Sequence, residues 1–190
     1  MKRINLDSNE HNAAEFRQQL HLESGVNVRD CYQCGKCSGG CPAAFSMDYM
    51  PREIIRMLQL GLIDEALSSH TIWLCSNCIT CYTRCPRSVN LPQLMDALRI
   101  KAQQKGIAAE KEIGLFGRIF LDSVKRFGRV YEMGLILIFN LKSRQPFKDI
   151  NHGPSMLLRG KIGLLPHRAE NIETVRKIYE RVSEMERENP

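Results

Sequence analysis

The chain has 190 residues, of which 43% are hydrophobic and 25% charged, a balance that excludes global disorder and suits one domain, or a small domain with an appendage. The formal net charge is +6, and the basic excess is confined to residues 99–168, with fourteen Lys or Arg against five Asp or Glu. That segment could face an acidic partner, a nucleic acid or a membrane surface, or be an ordinary solvated surface.

Apolar residues at helical spacing, with Pro and Gly as start and stop signals, predict a mainly α-helical chain. The expected helices run from Ser8 or Asn9 to about Leu22, from Pro51 to about Gly61, over Leu62–Ser69, from Asn90 to Gly106, over about Ile113–Phe127, over Arg129–Leu141, and over about Asn171–Glu188. Residues 142–168 are rich in Pro and Gly and are expected to be irregular. We expect the apolar stripes of these helices to pack in a core. In the helices over about Ile113–Phe127 and Asn171–Glu188 the stripes are Phe116, Ile119, Phe120, Val124 and Phe127, and Ile172, Val175, Ile178, Val182 and Met185.

The sequence shows neither the pattern of a secretion signal nor that of a membrane span. The first sixteen residues lack the apolar segment of a signal peptide. The longest apolar run, Met133–Leu141, is far shorter than the roughly 20 residues that span a bilayer. We therefore expect a cytoplasmic protein without a membrane span, in a reducing compartment that keeps thiols available for metal.

A twelve-residue cysteine pattern occurs twice. Residues 31–42 read CYQCGKCSGGCP and residues 75–86 read CSNCITCYTRCP, so that four cysteines and a proline recur at an offset of 44. The other positions differ, which indicates that the repeat preserves ligands rather than packing. C-x₂-C-x₂-C-x₃-C-P is the ligand run of bacterial-type [4Fe–4S] clusters.

In proteins with two such runs, the fourth cysteine of each run ligates the other cluster. This rule predicts a first cluster on Cys31, Cys34, Cys37 and Cys85, and a second cluster on Cys41, Cys75, Cys78 and Cys81. Crossed ligation requires the two runs to pack face to face. We expect the two clusters to serve as the core of this half, which looks short of apolar residues, so that removing them unfolds it.

Three alternatives remain beside an electron-transfer role. A Cys₄ zinc site uses paired C-x₂-C groups, but it leaves the third cysteine and the C-P of each run unexplained. Disulfides conflict with the tight grouping of the cysteines. The clusters could instead be structural in a nucleic-acid-binding protein, as the basic middle segment would allow. Two adjacent clusters, however, form a path for electrons that a purely structural role does not need.

No substrate chemistry is visible in the chain itself. It has no G-x-G-x-x-G for a flavin or nicotinamide nucleotide and no P-loop, and its five histidines are scattered without metal-ligand spacing. We therefore predict no catalytic residue. We also expect no nucleic-acid partner, because a structural role would not need two adjacent clusters.

The 33 residues between Cys41 and Cys75 exceed the spacing of a small ferredoxin and resemble the α-helical ferredoxin fold. Four segments resemble the iron–sulfur C subunit of the soluble heterodisulfide reductases, a resemblance that extends over nearly the whole chain. They are MPREIIRMLQLGLIDEAL (50–67), IWLCSNCITCYTRCPRSV (72–89), FGRVYEMGLILIFNLK (127–142) and LLRGKIGLLPHR (157–168).

That resemblance implies a role in methanogenesis. The C subunit would receive electrons from the A subunit, which carries FAD and clusters. It would pass them to the B subunit, whose non-cubane clusters reduce the coenzyme M–coenzyme B heterodisulfide, in a larger complex with a hydrogenase or formate dehydrogenase. The alternative is a relay in a related bacterial complex that acts on quinone or another disulfide. Residues 1–106 would form the two-cluster domain, and residues 107–190 a helical extension for partner docking.

Overall fold

The computed structural model describes residues 10–146 and 166–188, and no β-strand occurs among them. The predicted mainly helical fold is therefore confirmed. The helices are α1 (Glu10–Ser24), α2 (Lys36–Gly39), α3 (Pro51–Gln59), α4 (Ile63–Leu67), α5 (Thr71–Leu74), α6 (Thr80–Thr83), α7 (Leu91–Gln104), α8 (Lys111–Phe127), α9 (Glu132–Lys142) and α10 (Ile172–Glu188). Short 3₁₀ turns cover Val28–Asp30 and Ala44–Ser46.

Local signals account for most helix ends. Helix α3 begins at Pro51, as predicted, and the Met50 N–H donates to Glu53 Oε2 at 2.8 Å. Gly61 follows its end with a φ of +76°, a conformation that glycine adopts without steric cost. The Asn90 side chain caps α7 by accepting a hydrogen bond from the backbone of its third residue. The predicted cap at Ser8 or Asn9 lies outside the described residues, as does most of the segment expected to be irregular.

The chain divides into two compact units, Met1–Glu110 and Lys111–Pro190. This division lies close to the boundary expected between residues 106 and 107. The roles assigned to the two parts stay predictions.

The first unit has an apolar core of its own, so the expectation that the clusters would supply that core is wrong. Apolar side chains from α1, α3, α4, α5 and α7 form one continuous cluster. Its largest fully buried members are Leu20, Ile54, Ile55, Leu58, Leu67, Ile72, Leu94, Met95 and Leu98. Half-buried cysteines of both motifs pack against this cluster. The ligand loops therefore lie on a helical scaffold that has its own apolar core.

In the second unit, α8 contacts both α9 and α10. Ile119 and Leu135 are buried there. Half of the apolar residues expected on the stripes of α8 and α10 are exposed instead, so the core-packing expectation is wrong at Phe116, Phe120, Ile178, Val182 and Met185. Three helices enclose too little volume to bury every apolar face.

Candidate metal centre

The two cysteine loops share an unusual backbone conformation. Gln33 and Gly35 have φ values of +62° and +81°, and Asn77 and Ile79 have values of +51° and +66°. These left-handed positions recur at the same offset of 44 as the cysteines. The repeat in the sequence is therefore also a repeat in the backbone, although only one of the four positions is a glycine.

Each loop leads into a one-turn helix, and these two helices pack against each other. Helix α2 carries the third cysteine of the first motif and α6 that of the second. After each helix the backbone turns back, with hydrogen bonds from Cys41 N–H to the Ser38 carbonyl at 3.4 Å and from Cys85 N–H to the Tyr82 carbonyl at 3.0 Å. Both fourth cysteines thus leave their own loop through the same turn.

Four thiols from both motifs line one apolar pocket. They are Cys41 of the first motif and Cys75, Cys78 and Cys81 of the second. The remaining thiols interact around Cys31, whose pKa is raised by burial first and then by the neighbouring Cys85 and Cys34. The pocket thus combines three cysteines of the second motif with the fourth cysteine of the first. Around Cys31, cysteines of the first motif lie near Cys85, the fourth cysteine of the second.

Burial makes four of the eight thiols harder to ionise without metal. It raises the pKa of Cys81 to about 11, and the nearby thiols of Cys75, Cys37 and Cys78 add to the effect. Burial also raises the pKa values of Cys37 and Cys75. Thiolates at these positions therefore need a strongly positive group beside them, which iron supplies. Eight thiols in two close groups fit two Cys₄-ligated clusters.

The site reaches the surface at one cysteine of each motif. Cys34 and Cys78 are exposed, whereas the other six thiols are half-buried. The pKa of Cys78 is lowered, mainly by its hydrogen bond with Thr80, whose Oγ1 lies 3.5 Å from the Cys78 sulfur. These two cysteines mark the points at which the centre is accessible from outside.

Side chains from two other helices hold the first cysteine of each loop. Gln59 of α3 donates to the carbonyls of Cys31 at 2.8 Å and Val28 at 2.9 Å. Arg99 of α7 donates to the Cys75 carbonyl at 3.1 Å. The two loops are thus supported alike, but by a neutral amide in one case and a cation in the other. Sequence reasoning missed both residues, because each lies more than twenty positions from its partner.

Arg84 packs directly on Gly40, the residue at the equivalent position of the other motif. A Cβ on Gly40 would lie 3.0 Å from Arg84 Cζ and closer still to Arg84 Nη1. The glycine is therefore needed for space. The offset of 44 could have pointed to this pair, since it aligns the smallest residue with one of the largest.

Asp48 joins the segment after the first motif to the helix before the second. Its carboxylate accepts hydrogen bonds from the backbone N–H groups of His70 at 2.9 Å and Thr71 at 2.8 Å, at the start of α5. Burial opposes ionisation of this carboxyl, but the hydrogen bonds outweigh it and lower the pKa. Nothing in the local sequence indicates this long-range cap.

Two features are absent from residues 10–146 and 166–188. None of their helices is long and apolar enough to cross a membrane. Within those same residues, no three His, Cys, Asp or Glu side chains are grouped as a single metal ion would require.

Residues 27–89 match the family model of the 4Fe–4S dicluster domain. The match contains all eight cysteines and both left-handed loops. This part of the chain is therefore a two-cluster ferredoxin-type domain, and its cofactors are two [4Fe–4S] clusters.

The chain is similar to the kind of protein expected, but over a smaller part of its length than expected. The chain is 46% identical over 88 residues to the iron–sulfur C subunit of the CoB–CoM heterodisulfide reductase of Methanopyrus kandleri, covering 46% of each chain. It is 41% identical over 102 residues to the second iron–sulfur C subunit of that reductase from Methanocaldococcus jannaschii, covering 54% of this chain and 52% of the relative. A third relative, the C subunit of the H(2):CoB–CoM heterodisulfide,ferredoxin reductase of Methanothermobacter marburgensis, is 36% identical over 104 residues, covering 54% and 56%.

The predicted resemblance to the C subunit of heterodisulfide reductase is thereby confirmed. The chain spans about half the length of the curated relatives that it matches. The matches cover 46–54% of this chain, so the expectation that the resemblance extends over nearly the whole chain is wrong. Of the four segments that carried the resemblance, most of the last (157–168) lies outside the described residues.

Proposed function

We propose that this chain is the electron-transfer component of a heterodisulfide-reductase-type complex. In this role it relays electrons from an FAD-containing A subunit to a B subunit that reduces the coenzyme M–coenzyme B heterodisulfide. The observation that carries this proposal is that the cysteine thiols form two adjacent sets, in a domain similar to the C subunit of such reductases. The clusters supply one-electron carriers, and the protein's own residues hold, cover and orient them.

The proposal assigns the first cluster to Cys31, Cys34, Cys37 and Cys85, and the second to Cys41, Cys75, Cys78 and Cys81. The pocket lined by Cys41 with the three thiols of the second motif supports the crossed arrangement. So does the electrostatic effect of Cys85 on Cys31. The interaction of Cys37 with Cys81 supports close approach of the two sets.

Exposure of one ligand per set suggests two separate contact points for partners. Cys34 belongs to the proposed first set and Cys78 to the second, and both are exposed. Next to them lie Gly35 and the exposed Ile79. A relay needs an entry and an exit for electrons, and in this proposal the two edges serve as these.

The second unit is proposed to dock onto the A and B subunits of the complex. Helix α9 exposes a row of large apolar side chains, with Leu137 at 62% and Leu141 at 73% exposure. A pocket in the same unit is lined by both apolar and charged side chains, among the latter Lys125, Arg126 and Lys142. An exposed apolar row of this kind is typical of a protein–protein interface.

One relative at 44% identity is named as the C2 subunit of an H(2)/formate:CoB–CoM heterodisulfide,ferredoxin reductase. By analogy, the complex of this chain would extend to a hydrogenase or a formate dehydrogenase and would work in methanogenesis in the cytoplasm.

The test is anaerobic purification of the native complex followed by a redox titration monitored by EPR. We expect two [4Fe–4S] clusters on this chain and co-purification of the A and B subunits. Fewer than two clusters would contradict the assignment. A cytochrome b partner with quinone reduction would instead favour the related complex that acts on quinone.

Docking through the second unit has a separate test. Replacing Leu137 and Leu141 by Ser is expected to weaken co-purification of the partners, with cluster content unchanged. Leu22→Ser is a matched control, because Leu22 is 77% exposed but belongs to the first unit. An equal loss for the control, or no loss for the pair, would contradict docking through α9.

A further inference from the structure

Three arginines from three separate elements line an open cleft beside the first cysteine loop. Arg17 comes from α1, Arg29 from the 3₁₀ turn Val28–Asp30, and Arg56 from α3. We call this surface the arginine cleft. Neither Asp nor Glu is among its lining residues.

The positive charge of the arginine cleft is not neutralised within the part of the chain that the structure describes. None of the ion pairs found there involves the three arginines. Arg17 Nη1 donates to the Leu58 carbonyl and Arg56 Nη1 to Gln59 Oε1, each at 3.3 Å, so their partners are neutral. Arg17 Nε is buried without a hydrogen-bond partner. Three like charges in one cleft repel one another, and a bound anion would relieve that repulsion.

The arginine cleft adjoins a proposed cluster ligand. Cys31, Tyr32 and Gln33 also line it, and Gln33 Nε2 donates to the Cys31 sulfur at 3.6 Å. Gln59, which holds the Cys31 carbonyl, completes the lining. Tyr32 is 60% exposed, and exposed Tyr beside Arg is a combination enriched in protein interfaces.

We propose that the arginine cleft binds an acidic segment of the redox partner that exchanges electrons at the first cysteine loop. This inference rests on the proposed relay function. Guanidinium groups pair carboxylates through two parallel hydrogen bonds, which matches a cluster of Asp or Glu side chains on a partner. The cleft is open and its lining comes from α1, the 3₁₀ turn, the first cysteine loop and α3, so it accommodates a chain segment rather than a single ion. Its position against a cluster ligand favours a redox protein over a nucleic acid.

Calorimetry on the chain with its clusters reconstituted anaerobically tests the proposal. The probe is a synthetic hexaglutamate peptide, with hexaglutamine as the neutral control. We expect hexaglutamate to bind and to lose affinity as salt rises, because the contacts are between exposed charges. The variant Arg29→Gln/Arg56→Gln is expected to weaken binding at least tenfold, and Arg29→Lys/Arg56→Lys to restore part of it.

Arg118→Gln is the matched control, since Arg118 is an exposed arginine of the second unit whose Nε donates to the Gly114 carbonyl of its own helix at 3.4 Å. Equal binding by the Gln variant, or an equal loss in the control, overturns the proposal. Binding of inorganic phosphate without hexaglutamate overturns it too, because the cleft would then be a small-anion site. Iron content and reduction by dithionite test the relay function separately, and neither depends on these arginines.

Discussion

The two cysteine loops have the same backbone conformation but carry different side chains at equivalent positions. At the second left-handed position the first loop has Gly35, which adopts φ +81° freely, with Arg52 Nη1 3.5 Å from where a Cβ would lie. The second loop has Ile79 at φ +66°, with the side chain 52% exposed. A β-branched residue in this region is a genuine outlier, and the conformation costs about 1–2 kcal/mol. The backbone that ligation needs is thus kept even where the residue disfavours it.

The supports behind the loops differ in charge. Gln59 holds the Cys31 carbonyl, whereas Arg99 holds that of Cys75 and pairs with Asp96 at 3.2 Å. A cation near a cluster favours its reduced, more negative form. The two similar loops therefore lie in different electrostatic surroundings.

The largest expected effect comes from breaking the proposed crossed ligation. Cys34→Ser, Cys41→Ser and Cys78→Ser are each expected to cost one cluster. The double variant Cys41→Ser/Cys78→Ser should still lose only one, because the proposal assigns both residues to the second set. Cys34→Ser/Cys41→Ser should lose both, although the two residues share a motif. Iron and sulfide analysis distinguishes the outcomes, and the opposite result would show that each motif holds its own cluster.

Exchanging the residues at the second left-handed position tests the strain difference. Gly35→Ile is expected to destabilise the holo-protein by about 1–2 kcal/mol, because it introduces the same strain and crowds Arg52. Ile79→Gly should relieve strain by a similar or smaller amount, since glycine also gains freedom in the unfolded chain. Urea-dependent loss of the iron–sulfur absorption measures both. Equal effects of the same sign would contradict the comparison.

The Gly40–Arg84 pair offers a double-mutant cycle. Gly40→Ala is expected to destabilise by about 1–3 kcal/mol through overpacking against the guanidinium. Arg84→Ala should be milder, and in the combined variant the cost of the alanine at position 40 should largely disappear, since the clash is gone. Thermal loss of the visible absorption reports each stability. Additive effects would mean that the two side chains do not touch.

The smallest effect is expected on redox potential. Arg99→Gln should lower the potential of one cluster by an amount on the order of tens of millivolts, since one screened charge is removed. Gln59→Glu should lower the potential of the other cluster by adding a negative charge beside Cys31. An EPR-monitored titration resolves the two changes if each variant shifts a different signal. A shift of the same signal by both would contradict separate supports.

Sequence patterns anticipated the local features well and the long-range ones poorly. Pro51, Gly61 and Asn90 mark helix ends because their effects act within one turn of backbone. The apolar core of the first unit was underestimated, because its members are spread over five helices and no single segment looks rich in them. The exposed stripes of α8 and α10 were expected to be buried, since periodicity identifies an apolar face but not what covers it.

By itself, the sequence determined the number and type of ligands, the repeat at 44 residues and the helical spacer, because each depends on spacing along the chain. Only the tertiary structure decided that Gln59 and Arg99 support the two loops, that Arg84 packs on Gly40, and that three distant arginines line one cleft. These depend on how helices far apart in the chain pack, and packing is a property of the whole core. The left-handed backbone at Asn77 and Ile79 depends on both. The repeat in the sequence makes these residues equivalent to Gln33 and Gly35, but only the structure shows that all four have a positive φ.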